Sequence, residues 1–388
     1  MRLSLNEAEL RIRDETRAFL AEHLPAAHEV PADFDDRVAF LREWQRKLYD
    51  AGLVNVTWPA EYGGRGATLM EQIVLNQELA RAGAPPLIGE VGLEVVGPTL
   101  VAEGTPEQKE RYVRRILSGE DIWCQGFSEP NAGSDLASLR TRAEDHGDHF
   151  VVDGQKTWTS WAQYASWCAV LARTDPEAPA HRGISYLIVD MSSPGIEVRP
   201  LVQMTGDAEF SEVYFDRVEV PRENVLGQLN AGWSLAMHTL TNERGPVVLS
   251  HQVKLRVALD ALAADAARSM REGAPALDDP RVRASLVRAH VGVEVLRYHA
   301  YRSTGAAIAR GGAGVETSVD KLQMTIADQL VGDACLDVLG PFAVSSDETS
   351  HAWQHMYLHT RASSIYGGTS QIQKGIIAER ILGLPRSR

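Results

Sequence analysis

Cysteine is scarce in this chain: Cys124, Cys168 and Cys335 are the three among 388 residues. Their odd number and wide spacing exclude a disulfide framework and match no Cys-x-x-Cys redox or zinc pattern. Long apolar runs are also missing, and none reaches the ~20 residues that a membrane-spanning helix needs. The opening stretch MRLSLNEAELRIRDETRAFL mixes acidic with apolar positions and has no small-residue cleavage site, so it is not read as a secretory signal. Positive charge is in deficit. Lys and Arg number 39 against 52 Asp and Glu, and the formal charge of −13 repels a phosphate backbone. These absences set one expectation: a cytoplasmic, reduced-compartment protein that binds neither nucleic acid nor membrane.

What is present is ordinary globular material, 44% hydrophobic and 23% charged, in a chain too long for a single core. The first 120 residues carry helical periodicity: Leu10, Phe19 and Leu20, then Phe40, Leu41, Trp44 and Leu48, share buried faces. The glycine-rich WPAEYGGRG (58–66) breaks that pattern as a loop. Helices are predicted over Leu69 to Arg81 and from Pro106 to about Leu117, the latter with Thr105 as N-cap. Beyond Gly119 the pattern turns to strands. HFVVDGQKTW reads as a hairpin around its Asp-Gly pair, followed by the strand-like WCAVLAR, ISYLIVD, IEVRPLV and SEVYFDRVEV. Helix returns at Gly232: Leu255, Leu259, Leu262 and Ala266 form one stripe, VRASLVRAHVGVEVLRYHAYRSTGAAIA is a long unbroken helix, and further helices cover about 318–339 and 370–382. The chain is therefore read as multi-domain α+β: an N-terminal helical domain (1–120), a middle β-barrel-like domain (121–231) and a C-terminal four-helix bundle (232–388). No solenoid-period repeat is present.

Three segments carry chemistry. GFSEPNAGSD (126–135) is a loop of small residues with hydroxyls at Ser128 and Ser134, able to approach a phosphate or a ring edge closely. By composition alone it is equally a polar turn. GQKTWTSWAQYASW (154–167) sets Trp158, a flat apolar plate, among Thr157, Thr159 and Ser160, an arrangement suited to stacking an aromatic cofactor or to filling a core. SSIYGGTSQIQKGIIAERILGLPR pairs Gly367 and Gly368 before Thr369 and Gln371 at a helix start, which presents backbone amides to an anion or simply caps the helix well.

Together with MTGDAEFSEVYFDRVEVPRENVLG (204–227) and the Gly232–Trp233 pair, these segments resemble the acyl-CoA dehydrogenase family of flavoenzymes over almost the whole chain. The resemblance implies FAD held by Ser128 at the flavin ring edge, Ser134 at the pyrophosphate or the bound CoA, Trp158 over the ring, Ser160 near flavin N5, and Thr369 and Gln371 at the last helix. It implies removal of a proton α to a thioester and transfer of a β hydride to flavin N5, with electrons passing to an electron-transfer flavoprotein.

In much of the family the proton-accepting carboxylate precedes a Gly-Thr pair in the tail. Gly367 stands there in this sequence and brings only its backbone N–H. A subset that includes isovaleryl-CoA and long-chain acyl-CoA dehydrogenases carries the carboxylate on a C-terminal-domain helix, directly before an Arg. TNERGPV supplies Glu243 and Arg244 at the matching place. The resemblance thus implies Glu243 as base, Arg244 as a neighbour shaping the site or the CoA approach, and Gly367 as a contact of the thioester.

Two elements through which family members complete a neighbour's FAD are altered. RSMREG has Met270 and Arg271 in place of an aromatic and a glycine, and DVLGP has Asp337 and Pro341 in place of a glutamine and a glycine. An Asp facing a pyrophosphate repels it. The expectation is a tetramer of the α2β2 kind, as in bacterial steroid side-chain dehydrogenases, with a second, different subunit supplying those contacts. Gly367 leaves room for a branched or sterol-derived acyl chain.

Two rival functions stay open: a non-catalytic companion subunit completing a partner's FAD site, and a flavin oxidase or monooxygenase-like relative on a non-CoA substrate. The family's nucleic-acid-binding branch fits least, given the charge of −13 and no basic extension. His351, His355 and His359 recur at helical spacing, but no acidic general base or fourth ligand accompanies them, so no metal is assigned. RGGAGVE (310–316) lacks the strand and third glycine of a dinucleotide fingerprint and reads as an interhelical loop. Cys124 and Cys168 read as buried packing thiols.

Overall fold

The computed structural model describes residues 4–31, 33–242, 247–271, 273–346 and 348–385. The chain order is α1 (Glu7–His23), α2 (Phe34–Asp50), α3 (Leu69–Arg81), α4 (Gly97–Glu103), α5 (Pro106–Ser118), then β1 (Trp123–Gly126), β2 (Arg142–Asp145), β3 (His149–Ser160), β4 (Trp167–Arg173), β5 (Ile184–Asp190), β6 (Ile196–Leu201), β7 (Phe210–Pro221) and β8 (Val225–Leu226). Helix resumes with α6 (Gly232–Asn242) and α7 (Val247–Arg268), passes a short ribbon of β9 (Met270–Arg271) and β10 (Ala274–Pro275), and continues as α8 (Pro280–Arg310), α9 (Thr317–Leu339), α10 (Glu348–Ala362) and α11 (Ser370–Ile376). By packing, the chain divides into two compact units, one of Asp14–Gln72 with Pro85–Glu243 and one of Met1–Arg13 with Ile73–Ala84 and Arg244–Arg388.

In the first unit the strands hydrogen-bond in the order β6-β7-β3-β2-β4-β5-β8, with β1 added parallel to β4. Every residue from Cys168 to Ala172 and from Ile184 to Val189 is buried, so β4 and β5 are covered on both faces, which explains their unbroken apolar sequences. Phe150, Val152, Val170, Leu187, Val213 and Phe215 form the core there. Cys124 lies opposite Cys168 in the β1–β4 register. Both are buried free thiols, as the sequence indicates, and burial pushes Cys124 well above the ordinary thiol range. Thr105 caps α5 as expected: its hydroxyl accepts from the Gln108 N–H at 3.2 Å, and Gln108 returns a bond to the Thr105 N–H.

The hairpin expected at Asp153-Gly154 is not there. β3 runs straight through the pair, which sits at a bulge opposite β7, with the Arg217 N–H donating to Asp153 Oδ1 at 3.1 Å. The extra residue lies on β7, where Asp216 and Arg217 oppose Asp153 alone, and a Cβ at Gly154 would meet the Thr141 backbone at 2.7 Å. The turn between β2 and β3 falls instead at Gly147, with φ of 93°.

The second unit is built on α7 to α10. The expected stripe of Leu255, Leu259, Leu262 and Ala266 is buried, as are Val282, Leu286, Ala289, Val293 and Leu296 on α8 and Met324, Ala327, Val331 and Cys335 on α9. α8 ends at Gly311, a left-handed C-cap, so RGGAGVE is an interhelical connection. α11 is shorter than its sequence pattern: it continues as a π turn over Ile377–Ile381 before Gly383.

Candidate active site

The SEPNAGSD loop is held from inside by a pair of charges that the motif itself does not advertise. Lys156, on β3, is fully buried and donates to Glu129 Oε1 at 2.9 Å and to the Phe127 carbonyl at 3.1 Å. The same carboxylate accepts from the Arg140 and Thr141 N–H groups at 2.7 and 2.8 Å. Burial alone would raise the Glu129 pKa, but Lys156 and the hydrogen bonds around it prevail and hold the carboxyl below its ordinary value. Burial lowers Lys156 from its own ordinary value, with Glu129 opposing. Glu129 and Ala132 also exchange backbone hydrogen bonds at 3.0 and 3.1 Å, closing the loop on itself.

This clamp fixes the sequence-nominated residues of the first unit relative to one another. The Thr157 N–H donates to the Ser128 carbonyl at 3.0 Å, so the loop lies directly against β3. Ser128 is half-buried and Ser134 exposed. Between Lys156 and Thr159 the β3–β7 register shifts, and at that bulge Trp158 takes φ of 58° and stands 62% exposed. A left-handed tryptophan costs about 1–2 kcal/mol. That strain is spent on turning a large apolar ring out of the sheet, with Phe210 edge-on to it at 6.3 Å. Ser160 pairs with Phe210 across the same ladder. Ser128, Trp158 and Ser160 therefore share one neighbourhood: an open aromatic plate with hydroxyl donors and a small-residue loop beside it. That donor set fits a flat, hydrogen-bonding ring such as a flavin.

Because Trp158 contributes little to the core, Trp158→Ala is expected to leave thermal stability within about 0.5 kcal/mol of the parent. A flavin stacked on that ring should then be held about tenfold more weakly, the equivalent of about 1.4 kcal/mol. Flavin titration alongside a melting curve checks both. Melting that falls while affinity holds would make Trp158 a packing residue.

In the second unit Gly367 and Gly368 take φ of 61° and 89°, a tandem left-handed turn that only glycine adopts cheaply. Thr369 follows as N-cap of α11, its Oγ1 accepting from the Ile372 N–H at 3.2 Å. Gln371 is exposed. Two residues outside the sequence-nominated set, Gln373 and Lys321, bond the backbone around the turn. Their sequence signal was a polar residue at a core-facing position of a helix, visible only once the face is known.

Glu243 and Arg244 lie outside the described residues. Arg271 donates to the Asp337 carbonyl at 2.6 Å and to the Val338 carbonyl, closing the C-terminal end of α9, while the Asp337 side chain is exposed. His351, His355 and His359 line one side of α10 with ring centroids 6.4 and 6.2 Å apart. Among the described residues no group of three His, Cys, Asp or Glu is arranged to hold a metal. No described helix is long and apolar enough to cross a membrane.

Family descriptions of the acyl-CoA dehydrogenase N-terminal, middle and C-terminal domains match residues 6–120, 124–218 and 230–382. The chain belongs to the acyl-CoA dehydrogenase family. It is an oxidoreductase of that family, with the helical, β and helical parts in the family's order. It is 44% identical to acyl-CoA dehydrogenase IpdE1 of Mycobacterium tuberculosis over 347 residues, covering 89% of this chain and 88% of that one. A chain of the ChsE4-ChsE5 complex from Mycobacterium tuberculosis superposes with a TM-score of 0.84 at 32% identity, over the full length of this chain and of that one. The Tcur3481-Tcur3483 steroid acyl-CoA dehydrogenase gives the same TM-score of 0.84 and identity of 32%, again over both full lengths.

Proposed function

We propose that this chain is an FAD-dependent acyl-CoA dehydrogenase that desaturates a branched or sterol-derived acyl-CoA between its α and β carbons. The observation that carries the reading is Trp158, an exposed aromatic plate held at a strained bulge beside the Ser128 loop. Ser128 and Ser160 would hydrogen-bond the flavin, Trp158 would cover it, Ser134 would meet the pyrophosphate or the CoA, and Thr369 and Gln371 would complete the cofactor contacts. FAD, when bound, supplies the acceptor for the β hydride.

The chain's own residues handle the proton and the oxygen. An α proton of a thioester is weakly acidic, so its removal needs both a carboxylate and donors aimed at the carbonyl oxygen on which charge develops. Gly367 offers no side chain, and Glu243 takes the proton. The Gly367 N–H is the donor to the oxygen, and Arg244 shapes the CoA side. The absence of a side chain at Gly367 supports a bulky acyl group, as does the likeness to a solved steroid acyl-CoA dehydrogenase.

The reading includes a different second subunit in an α2β2 tetramer and an electron-transfer flavoprotein as acceptor. Arg271 is committed to the α9 terminus, and the exposed Asp337 stands at the position from which the family resemblance implies contact with a neighbour's pyrophosphate, which supports a second copy of this chain being a poor cofactor partner. Steady-state turnover with an artificial electron acceptor across a panel of straight, branched and sterol-side-chain thioesters tests the function. Formation of the α,β-enoyl-CoA, fastest with a bulky chain, is expected. Rapid turnover with oxygen and peroxide release would instead make the chain an oxidase. A homogeneous preparation of this chain alone as a fully flavin-loaded homotetramer would overturn the α2β2 assembly.

A further inference from the structure

Two buried polar side chains grip the backbone on either side of the Gly367–Gly368 turn. Lys321, on α9, is 3% exposed. Its ammonium donates to the Ser363 carbonyl, which also accepts from Thr325 Oγ1 at 2.8 Å, and lies 5.1 Å from the centroid of the Tyr366 ring. Gln373, on α11, is fully buried and donates its Nε2 to the Gly367 carbonyl at 2.9 Å and to the Gly368 carbonyl at 3.4 Å. Its own Oε1 has no partner among the described residues. Burying an ammonium and an incompletely bonded amide is costly, and an apolar side chain of similar size would fill either position more cheaply.

The turn explains the expense. Tandem glycines have more backbone freedom than any other dipeptide, and a position that has lost its side chain has lost the packing that would fix it. The peptide unit is planar and trans, so turning a carbonyl one way turns the N–H of the same unit the other way. Gln373 holds the units after Gly367 and after Gly368. Lys321 and Thr325 hold the approach through Ser363, and the Lys321 ammonium lies against the ring of Tyr366, whose carbonyl shares a peptide unit with the Gly367 N–H.

We infer that Lys321 and Gln373 are positioning residues that fix the backbone before and after Gly367, and through it the direction of the Gly367 N–H toward the thioester oxygen. They therefore govern the rate of α-proton removal more than the affinity for CoA. The inference rests on the reading of the chain as an acyl-CoA dehydrogenase. A donor out of line by a fraction of an ångström still lets substrate bind but stabilises the developing negative charge less.

The test compares the purified parent with Lys321→Met, Gln373→Met and Lys321→Arg, each in whatever assembly the parent requires. Anaerobic flavin reduction is followed against thioester concentration, and amide hydrogen exchange of the 363–369 segment is followed before substrate is added. In both Met variants FAD content is expected to match the parent, half-saturation to stay within about threefold, and the saturating reduction rate to fall about tenfold or more. Exchange over 363–369 should quicken, and Lys321→Arg should recover most of the rate. Parent-like rates, a weakened half-saturation with an unchanged rate, or unchanged exchange would overturn the inference. If a Met variant does not fold, Lys321→Gln, which removes the charge but keeps a polar tip, and the isosteric Gln373→Glu, which swaps the donor for an acceptor, carry the same comparison. A flavin-loaded parent that no thioester bleaches contradicts the parent reading itself, and the exchange measurement then decides whether the two side chains fix the turn.

Discussion

Glu243→Gln is expected to bind FAD and acyl-CoA as the parent does and to lose α-proton removal, with the reduction rate at saturating thioester down by about 10²–10⁴-fold. Glutamine keeps the shape and the hydrogen-bonding reach of the side chain and removes only its capacity to accept a proton. The effect is large because no second carboxylate stands at the alternative position: Gly367 occupies it. Stopped-flow reduction of the variant by the best thioester is the measurement. A rate within about fivefold of the parent, below the range of a lost general base, would move the base elsewhere in the chain.

Lys156→Met carries the largest expected effect on stability. It leaves Glu129, 9% exposed, as an uncompensated buried charge, at a cost of about 3–5 kcal/mol. Since Glu129 also holds the Arg140 and Thr141 N–H groups, the 126–135 loop should loosen and flavin affinity fall with it. The pH dependence separates this from simple loss of packing. The depressed Glu129 pKa of the parent contributes stability that is present above the unfolded carboxyl value, about 4.3, and is lost as pH falls through the lower folded value. In Lys156→Met the carboxyl loses the ammonium beside it and should titrate higher than in the parent, which removes much of that stabilisation. The stability gap between parent and variant is therefore widest near neutrality and narrows as pH falls toward 4. Denaturant melts at pH 7 and pH 4.5 check it, and a gap independent of pH would assign the loss to packing alone.

The sequence discloses features whose causes are local. The α5 start is legible because Thr105, Pro106 and Gln108 form a capping arrangement within four residues. The β4 and β5 strands are legible because burial on both faces requires unbroken apolar runs. Asp153-Gly154 misleads for the same reason: the pair is a hairpin signal only when the neighbouring strand does not reach past it, and here β7 supplies a partner on both sides. The Lys156–Glu129 pair spans 27 residues and depends on which face of β3 points inward, which the motif does not state. Trp158 was legible as an aromatic plate, but its left-handed backbone and exposure arise from the register shift with β7. Gln373 was hidden by the neighbouring Gln371, which shares its chemistry and faces outward.

The proposed reaction removes a proton and a hydride from an acyl-CoA thioester. Its most direct test is the visible spectrum of the anaerobic flavin-loaded protein mixed with a branched or sterol-side-chain acyl-CoA, with no other electron acceptor present. The oxidised flavin band should be lost within a single turnover, with the enoyl-CoA appearing in equal amount. A fully loaded protein whose flavin band no thioester of the panel changes would contradict the proposed reaction.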